Sequence, residues 1–242
     1  MNGPSVPPVA TARASSTMVA GPSWPVILHH DGLVLRPLRA RDAGRWAELR
    51  TANRDWTGPW DSTLPPGSGE EPLDFPRLVR RYRRLGRGGS TLGWALALSE
   101  DGRTGARALG RAPMIGQVTV AGITRGAAQL ASIGYWVDER HAGRGHTPRA
   151  VAMAADFCFD VVGLHRLEIC IRPENGPSHR VVAKLGWRYE GLRPRYLHIA
   201  GHWCDHDVYV RTAEERPPHG ELARLLSASR RATPLTSHDG EP

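Results

Sequence analysis

Lysine is nearly absent from this 242-residue sequence: Lys184 stands alone against thirty-one arginines. A Walker-type phosphate loop needs Gly-Lys-Ser/Thr. Lys184 lies between Ala183 and Leu185, so that nucleotide fold is excluded. Cysteine is scarce as well. Cys158, Cys170 and Cys204 are odd in number and widely spaced, which argues against a disulfide framework or a zinc knuckle and for a reducing cytoplasm. No apolar run approaches the length of a membrane span, and the first residues lack the basic-then-apolar pattern of a secretory leader. Acidic residues fall short of basic ones, 24 against 32, leaving a net charge of +8. Codon bias with solvated faces accounts for that balance, and so does attraction to polyanions. Basic and aromatic residues do not interleave in a stripe that would read nucleic-acid sequence.

At 40% hydrophobic residues the chain can bury a core in one large domain or two small ones. Residues 1–25 are rich in Pro, Ser, Ala and Thr and are expected to be a disordered leader. Residues 213–242 are expected to be a flexible tail, with a short helix around Glu221–Ser229, so the folded domain is expected over 26–212. Leu33–Leu38 alternates like a strand. Asp42 is placed to cap a helix carrying Ala43, Trp46 and Leu49 on one face. A polar loop with Trp56 and Trp60 follows, then Phe75, Leu78, Val79, Tyr82 and Leu85 at helical spacing with arginines opposite. Strands are expected over Leu92–Leu98, Met114–Ile123, Ala131–Val137 and Leu167–Ile171, with a turn at Asp101–Gly105. Helices are expected from Pro148 to Val162 and over Ser178–Leu185, the latter stopped by Gly186. Closing strands fall near Trp187–Glu190 or Tyr196–Ile199 and near Asp207–Val210. This order describes a mixed α/β (α+β) domain whose central sheet is mostly antiparallel and flanked by helices.

The densest chemistry lies in Gly134-Tyr135-Trp136-Val137 and the turn Arg140-His141-Ala142-Gly143-Arg144-Gly145-His146. A strand runs into a glycine-bearing turn and then a helix opened by Pro148. Backbone N–H groups of such a turn, with the positive end of the helix, make an anion pocket. A dinucleotide fingerprint would need a third glycine where Pro148 stands.

The Arg140-x-x-Gly143-x-Gly145 spacing resembles the pyrophosphate turn of the GNAT acetyltransferase superfamily. Asn175-x-x-Ser178, then Lys184-Leu185-Gly186-Trp187-Arg188-Tyr189-Glu190-Gly191, resembles its RimJ/RimL branch, as does Gly201-His202-Trp203-Cys204-Asp205-His206. The resemblance spans roughly Leu33 to Arg211. It implies the GNAT fold, with splayed central strands, and transfer of acetyl from acetyl-CoA to the N-terminal α-amine of a protein, a ribosomal protein in the RimJ-like case. It also implies that the backbone near Trp136 and Val137 pairs with the pantetheine arm and that the 140–146 turn holds the pyrophosphate. Asn175 would bind a pantetheine amide, although an N-cap role explains it equally. Ser178, also explained as a cap, would protonate the leaving thiolate.

Relatives usually carry an acidic residue before the tyrosine matching Tyr196, and here that position is Arg195. The general base is therefore open among Glu168, Glu190 and Asp205, with Glu168 pointing off the face of Leu167 and Ile169. Trp56, Trp60, Tyr196, Trp203 and Asp205 are candidates for the acceptor wall. No metal is expected at His202, Cys204 and His206, whose alternation is ordinary strand geometry. The partners implied are acetyl-CoA and a protein N-terminus, with no membrane and no sequence-specific nucleic acid, in a monomer or weak homodimer. A small-amine acetyltransferase and a non-catalytic CoA-binding or ribosome-associated module remain alternatives.

Overall fold

The computed structural model describes residues 24–99 and 105–231. Its strands are β1 (Leu28–His30), β2 (Leu33–Pro37), β3 (Leu92–Leu98), β4 (Met114–Thr124), β5 (Leu130–Val137), β6 (Arg166–Ile171), β7 (Arg188–Ile199) and β8 (His202–Thr212). They form one sheet in the order β1-β2-β3-β4-β5-β6-β8-β7. Among the described pairs all are antiparallel except β5–β6. That parallel pair holds register only from Leu130↔Arg166 to Ser132↔Glu168. Beyond Ser132 the two strands part, so the β6-facing edge of β5 carries backbone groups without a strand partner.

Helices cover both faces. α1 (Ala43–Ala52), the single turn α2 (Arg54–Thr57) and α3 (Phe75–Arg87) lie on one face, where Leu38, Leu49, Phe75, Val79, Ala95 and Met114 form a small core. α5 (His146–Phe157) and α6 (Gly176–Leu185) lie on the other, over the main core of Leu35, Trp94, Leu96, Ile133, Val151, Leu167 and Leu185. β3 is buried along nearly its whole length, which its unbroken apolar run Leu-Gly-Trp-Ala-Leu-Ala-Leu reflects. A short α4 (Ala106–Leu109) precedes β4.

Several expectations are corrected by tertiary packing. Asp42 precedes α1 but makes no side-chain cap; its carboxylate is buried and takes both Nη atoms of Arg36 at 2.8 and 2.9 Å. The expected loop with Trp56 and Trp60 is α2 followed by a 3-10 turn, Gly58–Trp60. The two alternatives for the first closing strand are halves of one long β7. Strand β1 and α4 had no sequence signal.

The expected leader lies outside the described residues up to 23, but Trp24 is buried against Trp94 at 5.2 Å between rings. Its indole fills the space beside Gly86, where an added Cβ would fall 2.4 Å from Trp24 Cδ1. The expected tail carries α7 (Glu221–Arg231), which is docked on α5. Asp156 of α5 accepts the backbone N–H groups of Glu221 and Leu222, and the wholly buried Glu221 pairs with Arg211 at 2.8 Å. The helix itself was expected, around Glu221–Ser229; its docking was not, because the anchor is an ion pair to a residue distant in the chain. Residues 232–242, and 101–104 of the expected turn, lie outside the described residues.

Candidate active site

Where β5 and β6 separate lies an open cleft with a cavity volume of about 200 Å³. Trp136, Val137, His141, Ala142, Gly143, Gly145, His146, Asn175 and Ser178 all line it, as do Trp56 and Trp60. The strand, the turn and two helix N-termini thus converge as expected. Gly143 and Gly145 have φ of +75° and +77°, with nothing within 4 Å of an added Cβ. The turn needs glycine for its backbone conformation rather than for space. Gly145 is the N-cap of α5 and supplies no side chain, so the first N–H groups of that helix are left for an anion.

The arginines of the turn behave differently. Arg140 does not line the cleft; it folds back on buried Asp138 at 2.7 Å. Burial pushes the Asp138 carboxyl up, but bonds from Arg140 and from Asn53, at the end of α1, hold it below the usual carboxylate range. Asn53 also accepts the N–H of Glu139 at 2.8 Å, so the turn is fastened to α1. Arg144 is exposed and off the cleft wall. His141 and His146 are lowered from the ordinary imidazole value, first by burial and then by neighbouring cations, so near pH 7 they are neutral hydrogen-bonding groups. His141 Nδ1 is buried without a protein partner.

Cations come instead from residues the sequence reading passed over. Arg180 and the lone Lys184, one helical turn apart on α6, both line the cleft. Their i,i+4 spacing after Ser178 was the available signal. The glycine turn, the free N–H groups, the unpartnered His141 nitrogen and these two cations fit the phosphates of a coenzyme A. The unpaired edge of β5 fits an extended amide-bearing arm. Val137 departs in part from expectation: its carbonyl already accepts Trp56 Nε1 at 3.1 Å.

Asn175 caps α6, its Oδ1 accepting Ser178 N–H at 3.1 Å. Ser178 Oγ lies 2.7 Å from the hydroxyl of Tyr135, which also lines the cleft. Burial raises the Tyr135 phenol far above its ordinary value, so it stays protonated and can donate to Ser178, leaving the serine proton free. Tyr135 was legible only as part of the quoted Gly-Tyr-Trp-Val run.

The three base candidates do not reach the cleft. Glu168 is buried and held by Arg166 and Arg193 at 2.8 Å each. Burial pushes its carboxyl up, but those guanidinium bonds outweigh it and leave it below the usual range. Glu190 is bonded to Arg166, which lowers it too. Asp205 accepts the backbone N–H of Arg195, a residue at φ +51°, at 2.7 Å. Asp61 lines the cleft but is bonded to Arg50.

Tyr196 and Trp203 also lie off the cleft wall. Tyr196 stacks under Arg193 at 5.1 Å, and Trp203, more than half exposed, packs edge-on to His198. Their hairpin reaches the site indirectly, since Ile199 pairs with Ser62 and Thr63 N–H donates to His198 O at 2.8 Å, just after Trp60. Among the described residues no group of three or more His, Cys, Asp or Glu could hold a metal ion, and no helix is long and apolar enough to cross a membrane.

Comparison with known proteins agrees with this geometry. The profile of the acetyltransferase (GNAT) domain family matches residues 32–188. A probable N-acetyltransferase, YjcK of Bacillus subtilis, is 30% identical over 176 residues, 73% of this chain and 91% of that protein. The [ribosomal protein uS5]-alanine N-acetyltransferase of Escherichia coli is 25% identical over 80% of this chain and 94% of its own length. The structure of Mycobacterium smegmatis RimJ in complex with CoA-disulfide superposes with a TM-score of 0.70 at 37% identity, covering 82% of this chain and 90% of that one. A cleft whose lining fits coenzyme A, in a sheet of this order and among these relatives, accords with an acetyl-CoA-dependent N-acetyltransferase: the chain is a member of the GNAT family.

Proposed function

We propose that this acetyltransferase modifies the N-terminal α-amine of a protein, and that the protein is a ribosomal one. One observation carries the reading: every carboxylate near the cleft is committed to a guanidinium or lies off the wall. A site without a free base favours an amine that is already partly neutral. An α-amine has a pKa of about 7.7–8.0 and a lysine or polyamine nitrogen one near 10.4, so at neutral pH the α-amine is neutral several hundred times more often. Trp56 and Trp60 flank a slot that suits an extended peptide end. The RimJ of Mycobacterium smegmatis and the uS5-alanine acetyltransferase of Escherichia coli support the ribosomal acceptor, which would be met in the cytoplasm.

Transfer is direct in this reading. The amine nitrogen attacks the thioester carbonyl, and its surplus proton leaves to solvent. As the C–S bond breaks, the sulfur departs with the electron pair and takes the Ser178 Oγ proton, which solvent restores from the proton the amine released. Tyr135, bonded to Ser178 at 2.7 Å, orients that hydroxyl. Cys170 and Cys204 do not line the cleft, and burial pushes buried Cys158 up to about 12, so none suits a covalent acetyl carrier.

The test is incubation with labelled acetyl-CoA and peptides beginning in Ala, Ser or Met, beside polyamines. Label on the peptide α-amine is expected. Transfer to polyamines alone, or CoA binding without transfer to any amine, would overturn the reading.

A further inference from the structure

Many arginines of this fold are ion-paired, among them Arg36 with Asp42, Arg50 with Asp61, Arg166 and Arg193 with Glu168, and Arg211 with Glu221. α3 gathers the densest run of arginines that are not. Arg77, Arg80, Arg81, Arg83, Arg84 and Arg87 are all exposed on this one 13-residue helix. Arg77 and Arg81 have only long, exposed pairs, at 3.8 Å to Asp74 and 3.9 Å to Glu70. The other four have no acidic partner within 4.0 Å among the described residues. Like charges at i,i+3 and i,i+4 oppose helix formation, so the arrangement has no stability rationale. The helix dipole accounts only for Arg84 and Arg87 in the last turn.

The basic surface continues past the helix. The turn Ala40–Asp42 packs beside α3, and Arg41 Nη2 donates to Gly110 O at 2.8 Å. Arg39 lies against Gly110 as well, which brings Arg107 and Arg111 to the same surface. Arg39 is lowered from the ordinary guanidinium value by burial and then by the charges of Arg41, Arg36 and Arg83, a sign of how closely the cations are gathered. None of these arginines lines the coenzyme A cleft.

We propose that the arginine face of α3, with Arg39 and Arg41 beside it, docks the phosphate backbone of duplex RNA. The charges recur every three or four residues along about 15 Å of helix axis, which suits successive phosphates better than one small anion. Guanidinium forks grip phosphate oxygens bidentately, as lysine cannot. The exposed face bears no aromatic residue for stacking unpaired bases, which favours a duplex read through its backbone without sequence preference. The apolar face of α3, through Phe75 and Val79, is consumed by the core, so insertion into a membrane surface has nothing to use. Only the choice of RNA over DNA rests on the ribosomal acceptor proposed above.

The experiment measures binding of the full chain to a labelled RNA hairpin of about 20 base pairs, by anisotropy from about 50 to 300 mM salt. An Arg80→Gln/Arg83→Gln/Arg84→Gln/Arg87→Gln variant should bind at least tenfold more weakly, with a log–log salt slope shallower by about three to four. A control of equal net charge, Arg54→Gln/Arg125→Gln/Arg188→Gln/Arg230→Gln, should lose less than about threefold. Coenzyme A affinity and peptide acetylation, read in the same samples, should be unchanged in the α3 variant, so the acceptor reading stands or falls separately. Equal losses in both variants, wild-type binding by the α3 variant, or tighter binding to DNA or polyglutamate than to RNA would overturn the proposal.

Discussion

The two walls that approach the cleft are built on opposite principles. On the β5–α5–α6 side, backbone does the work: a strand edge without a partner, a turn at positive φ and the N-terminus of α5 without a side-chain cap. On the β6–β7–β8 side, charge pairing dominates, with Glu168 between two arginines and Glu190 and Glu215 on Arg166 and Arg188. Both sides are rich in polar residues. Only the first leaves its polar groups free for a ligand, because the second has already satisfied them internally. A titratable residue in a conspicuous position is thus no guide to catalysis until its partners are known.

That contrast can be broken first at Ser178. Ser178→Ala should lower kcat by about a hundredfold or more, the usual loss for a positioned proton donor, while the KM for acetyl-CoA stays near wild type. Steady-state kinetics with a peptide acceptor would measure it, and an undiminished kcat would remove the assigned donor.

Glu168→Ala should do the reverse. Leaving Arg166 and Arg193 without their buried partner is expected to destabilise the fold by about 3 kcal/mol, while kcat changes little at temperatures where the variant is folded. The pH dependence follows from the lowered carboxyl. The folded chain binds the Glu168 proton less readily than the unfolded chain does. Its contribution is therefore complete above the ordinary glutamate value of about 4.3 and is lost as pH falls through the lower folded value. Thermal melts from about pH 3 to 7 should show less acid sensitivity in Glu168→Ala than in wild type.

Tyr135→Phe removes one hydrogen bond to Ser178. At about 1 kcal/mol, kcat should fall roughly five- to tenfold with KM for acetyl-CoA little changed; a purely structural tyrosine would lower the melting temperature instead. The smallest effect is expected at Arg144, exposed and off the wall. Arg144→Gln should raise KM for acetyl-CoA by no more than about threefold, and the difference should fade at high salt.

Much of the fold was legible because periodicity carries it. The apolar alternation of Leu33–Pro37, the unbroken run at Leu92–Leu98 and the spacing of Phe75, Val79 and Tyr82 each reappear as an element of the expected type. What single long-range contacts hold escaped. β1 is three residues long and exists by pairing with β2, and the short helix expected in the tail is docked, as α7, through Asp156 and Arg211.

The site divides along the same line. Gly143, Gly145, Asn175 and Pro148 have local jobs: a positive φ, a cap and a first helical turn. Local conformation is encoded within a few residues, so the sequence by itself determined the turn, the helix starts and the α/β order around them. Which charges remain free is a property of residues distant in the chain. Arg166 and Arg193 reach Glu168 from neighbouring strands, Arg50 takes Asp61, and Asp138 takes Arg140 away from the cleft. Tertiary structure alone decided those pairings. It put Tyr135 on Ser178, turned Arg180 and Lys184 toward the cleft, and left the arginines of α3 exposed with only two long ion pairs.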